Sequence, residues 1–282
     1  MSGEASILRR LFSLEGKRAL LTGAGGGIGH ALGAALAGAG ARVALHARTR
    51  EKLADLEGQI GREGGRAVVL TAELGDLEAA RRLVGEAHAA LGGLDILVNC
   101  AATNRRKPIA EVTEDDWDWI LAVDLKSLYF LSQAAHALMR PQKSGKIIHI
   151  GSLNSQFALG SVSVYGAAKG AVAQLTKVMA VEWARDNIQV NCLIPGFVAT
   201  PLSKPLWADP YKAGWMRSRI PARRPAQPEE MTGAMLLLAS PASSYITGTT
   251  IVVDGGVLAG GWWEPDERDE ETAGSPGSRP AG

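Results

Sequence analysis

Short apolar segments alternate with longer amphipathic segments between Arg18 and about Ile194. The short segments are rich in leucine and β-branched residues and lack strict alternation of apolar and polar positions, which is typical of strands buried on both faces. The longer segments repeat apolar residues at helical spacing. This pattern predicts an α/β fold: a single doubly wound domain with a parallel sheet of about seven strands and helices on both faces.

The predicted strands are Ala19–Leu21, Arg42–Leu45, Ala67–Leu70, Ile96–Val98, Lys146–Ile150, Gln189–Leu193 and Thr250–Val253. The predicted helices lie near Ile28–Ala39, Arg50–Glu63, Leu77–Leu91, Thr113–Met139, Ser163–Arg185 and Pro228–Ala239. Two of these helices carry start signals. Asp76 occupies an N-cap position, and Thr113 followed by Asp116 is typical of a capping box.

Three segments depart from the alternation. Residues 1–12 are predicted to be a flexible N-terminus, and residues 264–282 a disordered tail rich in carboxylates. Between them, residues 13–260 form the predicted domain. Within it, proline, arginine, tryptophan and small residues replace the apolar pattern over residues 196–227, so this segment is predicted to be a substrate loop.

The charge balance argues against a polyanionic partner. The 282 residues include 30 Lys+Arg and 29 Asp+Glu, a formal net charge of +1, so no nucleic-acid partner is predicted. The sequence contains no apolar run of the length that spans a bilayer and no pattern of a secretion signal, so no membrane association is predicted. Cys100 and Cys192 have no nearby cysteine or histidine set, which predicts a reduced, cytoplasmic protein with no metal site.

A glycine-rich segment, Thr22 to Gly29, follows the first predicted strand and leads into an alanine-rich helix. Glycines in this place let backbone N–H groups and a helix N-terminus approach a pyrophosphate without a Cβ in the way. The order of strand, glycine turn and helix favours a dinucleotide site over the alternative, a flexible loop.

The end of the second predicted strand bears on the choice of dinucleotide. An NAD enzyme places a carboxylate there, against the ribose 2′-hydroxyl. The segment from His46 to Arg50 has no carboxylate, and Arg48 lies where a guanidinium can meet a 2′-phosphate. NADP(H) is therefore favoured, with NAD(H) as the alternative cofactor. The other interpretation of Arg48 is a solvated arginine that opens the next helix.

The segment after the fifth strand contains three candidate catalytic residues. Ser152 comes directly after it, at the carboxyl edge of the sheet where ligands bind in doubly wound folds. Tyr165 and Lys169 are four residues apart at the start of a long predicted helix, so they share one helix face. A cation held close to a phenol favours its phenolate, which is the form that can accept a proton.

These features together resemble the short-chain dehydrogenase/reductase family. The resemblance rests on the spacing of Gly23, Gly27 and Gly29, on the interval from Ser152 to Tyr165 and Lys169, and on the Pro195-Gly196 pair; it covers approximately residues 12–257. It implies a Rossmann-type fold, NAD(P)-dependent interconversion of a secondary alcohol and a ketone, and a homodimer or homotetramer. The implied catalytic residues are Ser152, Tyr165, Lys169 and Asp124. The implied cofactor-binding residues are Gly23, Gly25, Gly27, Ile28, Gly29, Arg48, Glu73, Leu74, Cys100, Ala101, Tyr165, Lys169, Pro195, Gly196, Val198 and Thr200.

The chain departs from the family pattern at four places. Asp124 stands where the family has an asparagine that supports a proton-relay water, and a carboxylate keeps the acceptors of that amide but loses its donor. Cys100-Ala101-Ala102 replaces an Asn-Ala-Gly turn. Glu73 replaces an aspartate that contacts adenine, and Ala168 replaces a serine before the lysine.

Within the family, the sequence resembles most the branch of gluconate 5-dehydrogenases and 2-deoxygluconate 3-dehydrogenases. The implied substrate-binding residues are Arg105, Arg106, Ser152, Asn154 and Tyr165. Arg105 and Arg106 suit the carboxylate of a sugar acid, with surface solvation or a cofactor phosphate as alternatives. Asn154 and Gln156 suit sugar hydroxyls or cap their own loop.

The predicted function is therefore the NAD(P)-dependent interconversion of a secondary alcohol and a ketone on a sugar acid, such as the pair gluconate and 5-ketogluconate. Two alternatives stay open. One is a 3-oxoacyl thioester (acyl carrier protein) reductase, which would use the same catalytic groups. The other is a non-catalytic NADP(H)-binding sensor, in which Asp124 and the altered turn have removed activity.

Overall fold

The computed structural model describes residues 3–201 and 203–261. Within these residues, seven strands form one parallel sheet in the order β3-β2-β1-β4-β5-β6-β7. The strands are β1 (Arg18–Thr22), β2 (Arg42–Ala47), β3 (Arg66–Thr71), β4 (Ile96–Asn99), β5 (Gly145–Ile150), β6 (Ile188–Pro195) and β7 (Thr250–Val253). Each predicted strand is present, and most extend beyond the predicted bounds. The predicted fold class is confirmed.

Helices cover both faces of the sheet. The helices of the described residues are α1 (Gly3–Phe12), α2 (Gly27–Gly38), α3 (Ala54–Arg62), α4 (Leu77–Leu91), α5 (Glu114–Leu121), α6 (Leu128–Met139), α7 (Ser163–Trp183), α8 (Lys204–Ala208), α9 (Pro210–Arg219) and α10 (Thr232–Ala239). Of these, α2, α3 and α10 lie on one face and α4, α6 and α7 on the other. The helix predicted over Thr113–Met139 consists of α5 and α6 joined by a π-helical turn at Ala122–Ser127. Among the described helices, none has both the length and the apolar character that crossing a membrane requires.

Helices also lie in two segments for which no helix was predicted. In the predicted flexible N-terminus, residues 1–12, Gly3–Phe12 is helical. The segment 196–227 contains α8 and α9, which carry Pro205 and Pro210 in their first turns. Proline is tolerated there because the first N–H groups of a helix have no hydrogen-bond partner within the helix. Asp209 caps α9 by accepting from the N–H of Lys212. The predicted tail, residues 264–282, lies outside the described residues.

The core lies in two layers, one on each face of the sheet. Neighbouring residues of β1 belong to different layers: Leu21 packs with α2, α3 and α10, whereas Leu20 packs with α4, α6 and α7. Both side chains are fully buried. Because both faces of each central strand are covered, the strands have apolar runs without alternation.

The order of the strands creates a crevice at the carboxyl edge of the sheet. From β1 the chain moves outward through β2 and β3, then returns to add β4 on the other side of β1 and continues outward to β7. The loops after β1 and β4 therefore leave the sheet in opposite directions. This switch point is where doubly wound folds bind their ligands.

Candidate active site

The glycine-rich turn after β1 is packed against neighbouring backbone. Gly23 has a φ of +72°, and a Cβ there would lie 2.6 Å from the Cα of Ala101. A Cβ at Gly29 would overlap the carbonyl oxygen of Gly23. Real Cβ atoms do not approach other atoms so closely, so these two positions require glycine for the turn to close.

The same turn leads into α2 with the helix N-terminus open. Gly26 is the N-cap and supplies no side-chain cap, and the first turn contains no acidic residue. The N–H groups at this end and the positive end of the helix dipole therefore suit an anion. Thr200, in the segment after β6, lies beside Gly27, where a Cβ would come within 2.9 Å of the Thr200 methyl carbon. The segment that follows β6 thus borders the turn.

The other predicted cofactor residues lie around this turn. Arg48 is exposed directly after β2, and the side chain of Lys52 lies beside Gly25. Glu73, after β3, is also exposed, and its carboxylate accepts from the N–H of Gly75 at 3.2 Å. The neighbouring Leu74 is buried.

Thr22 joins the end of β1 to the turn after β4. Its hydroxyl oxygen accepts from the N–H groups of Cys100 and Ala101 at 3.1 and 3.2 Å. The Thr22 hydroxyl thus holds the turn in which Cys100-Ala101-Ala102 replaces the Asn-Ala-Gly of the family pattern. This role of Thr22 was not predicted from the sequence, although a polar residue at the buried end of a strand is a signal for it.

His46 is a second link that the sequence analysis missed. The N–H of Gly23 donates to its Nδ1 at 3.4 Å, and its Nε2 lies 3.1 Å from the carbonyl oxygen of Ala72. Because Nδ1 accepts, Nε2 carries the proton and donates to Ala72. Burial lowers the pKa of His46, which keeps the ring neutral. The ring therefore connects the glycine turn, β2 and the end of β3.

Ser152 follows β5 and caps a short 3-10 turn, Leu153–Ser155. Its hydroxyl oxygen accepts from the N–H of Asn154 at 3.2 Å. The Ser155 hydroxyl donates to the carbonyl oxygen of Lys169 at 2.8 Å and accepts from the N–H of Ser152 at 3.4 Å. Ser155, which the sequence analysis did not single out, therefore fixes the Ser152 loop to α7.

The first turns of α7 carry Tyr165 and Lys169. The Nζ atom of Lys169 lies 5.5 Å from the centroid of the Tyr165 ring and donates to the carbonyl oxygen of Ile150 at 3.2 Å. Lys169 is buried, whereas Tyr165 and Ser152 are half-buried. The ammonium is thus held under the phenol, while the two hydroxyl-bearing residues are partly open to solvent.

Asp124 lies in the π-helical turn between α5 and α6, opposite Lys169. Its Oδ1 accepts from the N–H of Thr103 at 2.6 Å, and its Oδ2 lies 3.8 Å from Lys169 Nζ. Oδ2 is buried and has no hydrogen-bond partner among the described residues. Such π turns are frequent at functional sites, because the extra residue changes where side chains point.

Burial and charge act in opposite directions on this pair. Burial raises the pKa of Asp124 to about 6, although the charge of Lys169 and the N–H of Thr103 lower it. Burial lowers the pKa of Lys169, but nearby negative charge, first that of Asp124, raises it above its ordinary value. Lys169 is therefore an ammonium at neutral pH, and Asp124 is a carboxylate above about pH 6.

The two arginines that were predicted to bind a carboxylate differ in their contacts. Arg105 donates to Asp116 at 2.9 Å, and its guanidinium lies 4.3 Å from the centroid of the Trp119 ring. Lys107 binds the other oxygen of Asp116. Arg106 is exposed. Arg105 thus has a structural partner, and the binding of a substrate carboxylate by either arginine stays a prediction.

The remaining predicted cofactor residues lie after β6. Pro195 ends that strand, and Gly196 is so close to Asp254 that a Cβ would lie 2.5 Å from its Cα. Val198 is buried and pairs with Ala226 in an isolated bridge. This arrangement directs the segment after β6 back toward the glycine turn.

Comparison with known sequences identifies the family. The sequence model of a family described as "Enoyl-(Acyl carrier protein) reductase" matches residues 23–258. Gluconate 5-dehydrogenase of Gluconobacter oxydans is 40% identical over 247 residues, which cover 88% of this chain and 96% of that protein. The chain belongs to the short-chain dehydrogenase/reductase family. The predicted resemblance and the predicted class, an oxidoreductase that acts on a small molecule, are confirmed.

Two further relatives show the range of substrates in this part of the family. L-xylulose reductase of Bos taurus is 41% identical over 247 residues, which cover 87% of this chain and 98% of that protein. A solved structure of a gluconate 5-dehydrogenase from Burkholderia cenocepacia, in complex with NADP and tartrate, is 39% identical. It matches with a TM-score of 0.86 over 90% of this chain and 99% of that chain.

Proposed function

We propose that this short-chain dehydrogenase/reductase uses NADP(H) to interconvert a secondary alcohol and a ketone on a sugar acid such as gluconate and 5-ketogluconate. The observation that carries the proposal is the Lys169 ammonium, 5.5 Å from the centroid of the Tyr165 ring, with Ser152 directly after β5. The glycine turn follows β1 at the same edge of the parallel sheet. The similarity to gluconate 5-dehydrogenases supports the substrate class.

The residues of the turn fit a dinucleotide. Gly23 and Gly29 leave no room for a Cβ in the turn, and α2 presents its N-terminal N–H groups without a competing acidic side chain. These groups would hold the pyrophosphate. A bound nicotinamide dinucleotide supplies the hydride acceptor in oxidation and the hydride donor in reduction.

The side chains at the edge of the sheet carry the proton chemistry. In reduction the Tyr165 hydroxyl donates its proton to the substrate oxygen, and a proton from solvent then restores the phenol. In oxidation the Tyr165 phenolate accepts the proton of the substrate hydroxyl. The Ser152 hydroxyl donates a hydrogen bond to the same oxygen and holds it. The ammonium of Lys169 stabilises the phenolate that forms.

Charge at the end of β2 favours NADP(H). Arg48 is exposed at this place, and Lys52 lies beside the glycine turn, so two cations are available to a 2′-phosphate. The third cation of the segment, Arg50, is paired with Glu57 at 3.1 Å. Replacement of Arg48 by alanine is expected to raise KM for NADPH about tenfold and to leave KM for NADH within about twofold.

Arg106 is the exposed cation that a sugar-acid carboxylate would meet, since Arg105 is held by Asp116. The Arg106→Ala variant is expected to raise KM for 5-ketogluconate about tenfold and to leave KM for L-xylulose, which has no carboxylate, within about twofold. An equal change for the two substrates would argue against a carboxylate contact.

A substrate panel tests the proposed function. It contains gluconate, 5-ketogluconate, L-xylulose and an acetoacetyl thioester, each measured with NADP(H) and NAD(H). The expected result is the highest kcat/KM for the gluconate pair with NADP(H), and its loss in Tyr165→Phe. A preference for the thioester would support the acyl thioester reductase instead. Cofactor binding without turnover on any substrate would support the non-catalytic sensor.

We further propose that the protein is a homodimer or homotetramer that pairs through α6 and α7. Apolar side chains are exposed on these helices: Tyr129 is 39% exposed, Val178 42% and Val181 80%. A face of this kind is typical of a contact between copies. The Val181→Glu variant is expected to lower the mass measured by light scattering. We also propose a reduced, cytoplasmic location, which the two free cysteines support.

A further inference from the structure

Lys169 is surrounded by ionisable groups from several elements, and most of them are buried. Tyr165 lies on the same helix, Asp124 on the π-helical turn, Cys100 at the end of β4, His149 on β5 and Cys192 on β6. Lys169 is 2% exposed and His149 and Cys192 are fully buried. Water therefore screens the lysine charge poorly, and the charge state of these neighbours decides the field at Tyr165.

Most of these neighbours are neutral near pH 7. Burial raises the pKa of Cys100 to about 12 and that of Cys192 to about 11, so both are thiols. Burial lowers the pKa of His149 to about 3, so its ring carries no charge. Within the described cluster, Asp124 is consequently the group that supplies negative charge to Lys169 at neutral pH.

The geometry of Asp124 points in the same direction. Its Oδ1 is held by the N–H of Thr103, which leaves Oδ2 facing Lys169 at 3.8 Å without another partner. A buried carboxylate oxygen of this kind gains stability mainly from the nearby cation. An amide in the same place would offer that cation no charge.

We propose that Asp124 is the counter-ion of Lys169 and that, by offsetting the lysine charge, it keeps Tyr165 in the phenol form to a higher pH. The phenol is the form that donates a proton to a ketone, and the phenolate is the form that accepts a proton from an alcohol. The pair thus sets the pH range in which oxidation becomes fast. This inference deepens the proposed function, because it takes Tyr165 as the proton carrier.

The test is a spectroscopic titration of the cofactor-free protein. Phenolate absorbance is followed against pH in the wild type and in Asp124→Asn, and the Tyr165→Phe counterpart of each is subtracted to isolate Tyr165. Asparagine has the shape of aspartate and can still accept from the N–H of Thr103, so the fold is kept. The expected result is that Tyr165 ionises about one pH unit lower in Asp124→Asn.

Asp118→Asn is the matched control. Asp118 lies on α5 and is exposed, so the same chemical change is made on the adjoining helix without a contact to Lys169. The midpoint of Tyr165 in this variant is expected to equal that of the wild type. A second measurement, the pH profile of kcat for alcohol oxidation, is expected to move down by the same amount in Asp124→Asn.

An unchanged or raised midpoint in Asp124→Asn would overturn the inference, as would an equal shift in Asp118→Asn. These outcomes are separate from the failure of the proposed function, since the titration needs neither cofactor nor substrate. If the protein turns over no sugar acid but shows the shift, the counter-ion inference holds and the proposed substrate is wrong.

Discussion

Two aspartates eight residues apart on the same helical stretch face cations in opposite ways. Asp116, in α5, binds Lys107 and Arg105 at 2.5 and 2.9 Å and accepts from the N–H of Thr113 at 3.1 Å. Asp124 accepts from one N–H and lies 3.8 Å from Lys169. The pKa of Asp116 is lowered, mainly by its hydrogen bonds to Lys107 and Arg105, whereas burial raises the pKa of Asp124.

The difference is not one of exposure, because the two carboxylates are 2% and 0% exposed. The two carboxylates differ in the number of hydrogen bonds that they accept and in the exposure of the cations that they face. Lys107 and Arg105 keep contact with water, at 37% and 45% exposure, whereas Lys169 is 2% exposed. Saturated hydrogen bonding makes the first cluster a structural clamp, and incomplete hydrogen bonding leaves the second able to respond to pH.

The largest expected difference in kcat is between variants that remove Lys169, which faces Asp124, and Lys107, which binds Asp116. Lys169→Met removes the cation beside Tyr165, so kcat should fall about 1000-fold. Lys107→Met leaves Asp116 with Arg105 and the N–H of Thr113, so kcat should stay within about twofold. Steady-state kinetics on the best substrate of the panel measures both. Similar losses in the two variants would remove the functional distinction between the clusters.

The second-largest expected effect is a difference between the two aspartates in how protein stability depends on pH. Because the folded-state pKa of Asp124 is about 6 and the ordinary value is 3.8, the folded protein retains a proton that the unfolded chain releases. The free energy of unfolding should therefore fall as pH rises through this range, by about 3 kcal/mol in total. Urea denaturation measures this as the difference between the wild type and Asp124→Asn.

For Asp116, the free energy of unfolding is expected to change with pH in the opposite direction. Its lowered pKa means that its contribution to stability is fully present above the unfolded value of 3.8 and is lost as pH falls through the folded value. The difference between the wild type and Asp116→Asn should therefore be constant above about pH 5 and decline in acid. A difference for Asp124→Asn that rises from acid to neutral pH would contradict the assignment.

Loss of the Asp116 carboxylate should also lower thermal stability. Asp116→Asn keeps the size of the side chain but removes the charge that Arg105 and Lys107 share, so Tm at neutral pH is expected to fall by about 5 °C. Asp118→Asn, at an exposed position of α5 beyond its first turn, is the control and should leave Tm unchanged. Differential scanning calorimetry measures both, and equal values would argue against a clamp.

The smallest expected effect comes from the cap. The Thr113 hydroxyl accepts from the N–H of Asp116 at 3.2 Å, which completes the predicted capping box. Thr113→Ala should cost about 1 kcal/mol, or about 3 °C in Tm, and Thr113→Ser should restore it. A loss as large as that of Asp116→Asn would mean that the cap, and not the ion pairs, stabilises this cluster.

Much of the fold was predictable because its signals are local. Leu20 and Leu21 belong to a run whose apolar character already indicated a strand covered on both faces. Thr113 and Asp76 marked helix starts by residue type, and both cap the helices that follow. The π-helical turn at Ala122–Ser127 was not predicted, since the apolar spacing continues through it and its extra residue depends on packing.

The site was predictable in part. The position of Ser152 after a strand and the spacing of Tyr165 and Lys169 indicated which residues to examine, because strand ends and helix faces follow from sequence. The contacts of Thr22, Ser155 and His46 were not predicted, since each joins segments that are distant along the chain. The partner of Arg105 was missed because the contact depends on how the loop after β4 packs against the start of α5, which residue type and spacing do not specify.

The amino-acid sequence by itself therefore determined the strands, most helix starts, the glycine turn and the candidates for proton transfer. These depend on side-chain size, backbone freedom and short-range spacing. Only the tertiary structure decided the charge balance around Tyr165. Asp124 and Lys169 come from different helical segments, and their charges depend on the burial and the partners that packing gives them. The energy of a charge depends on its surroundings, and those surroundings exist only in the folded protein.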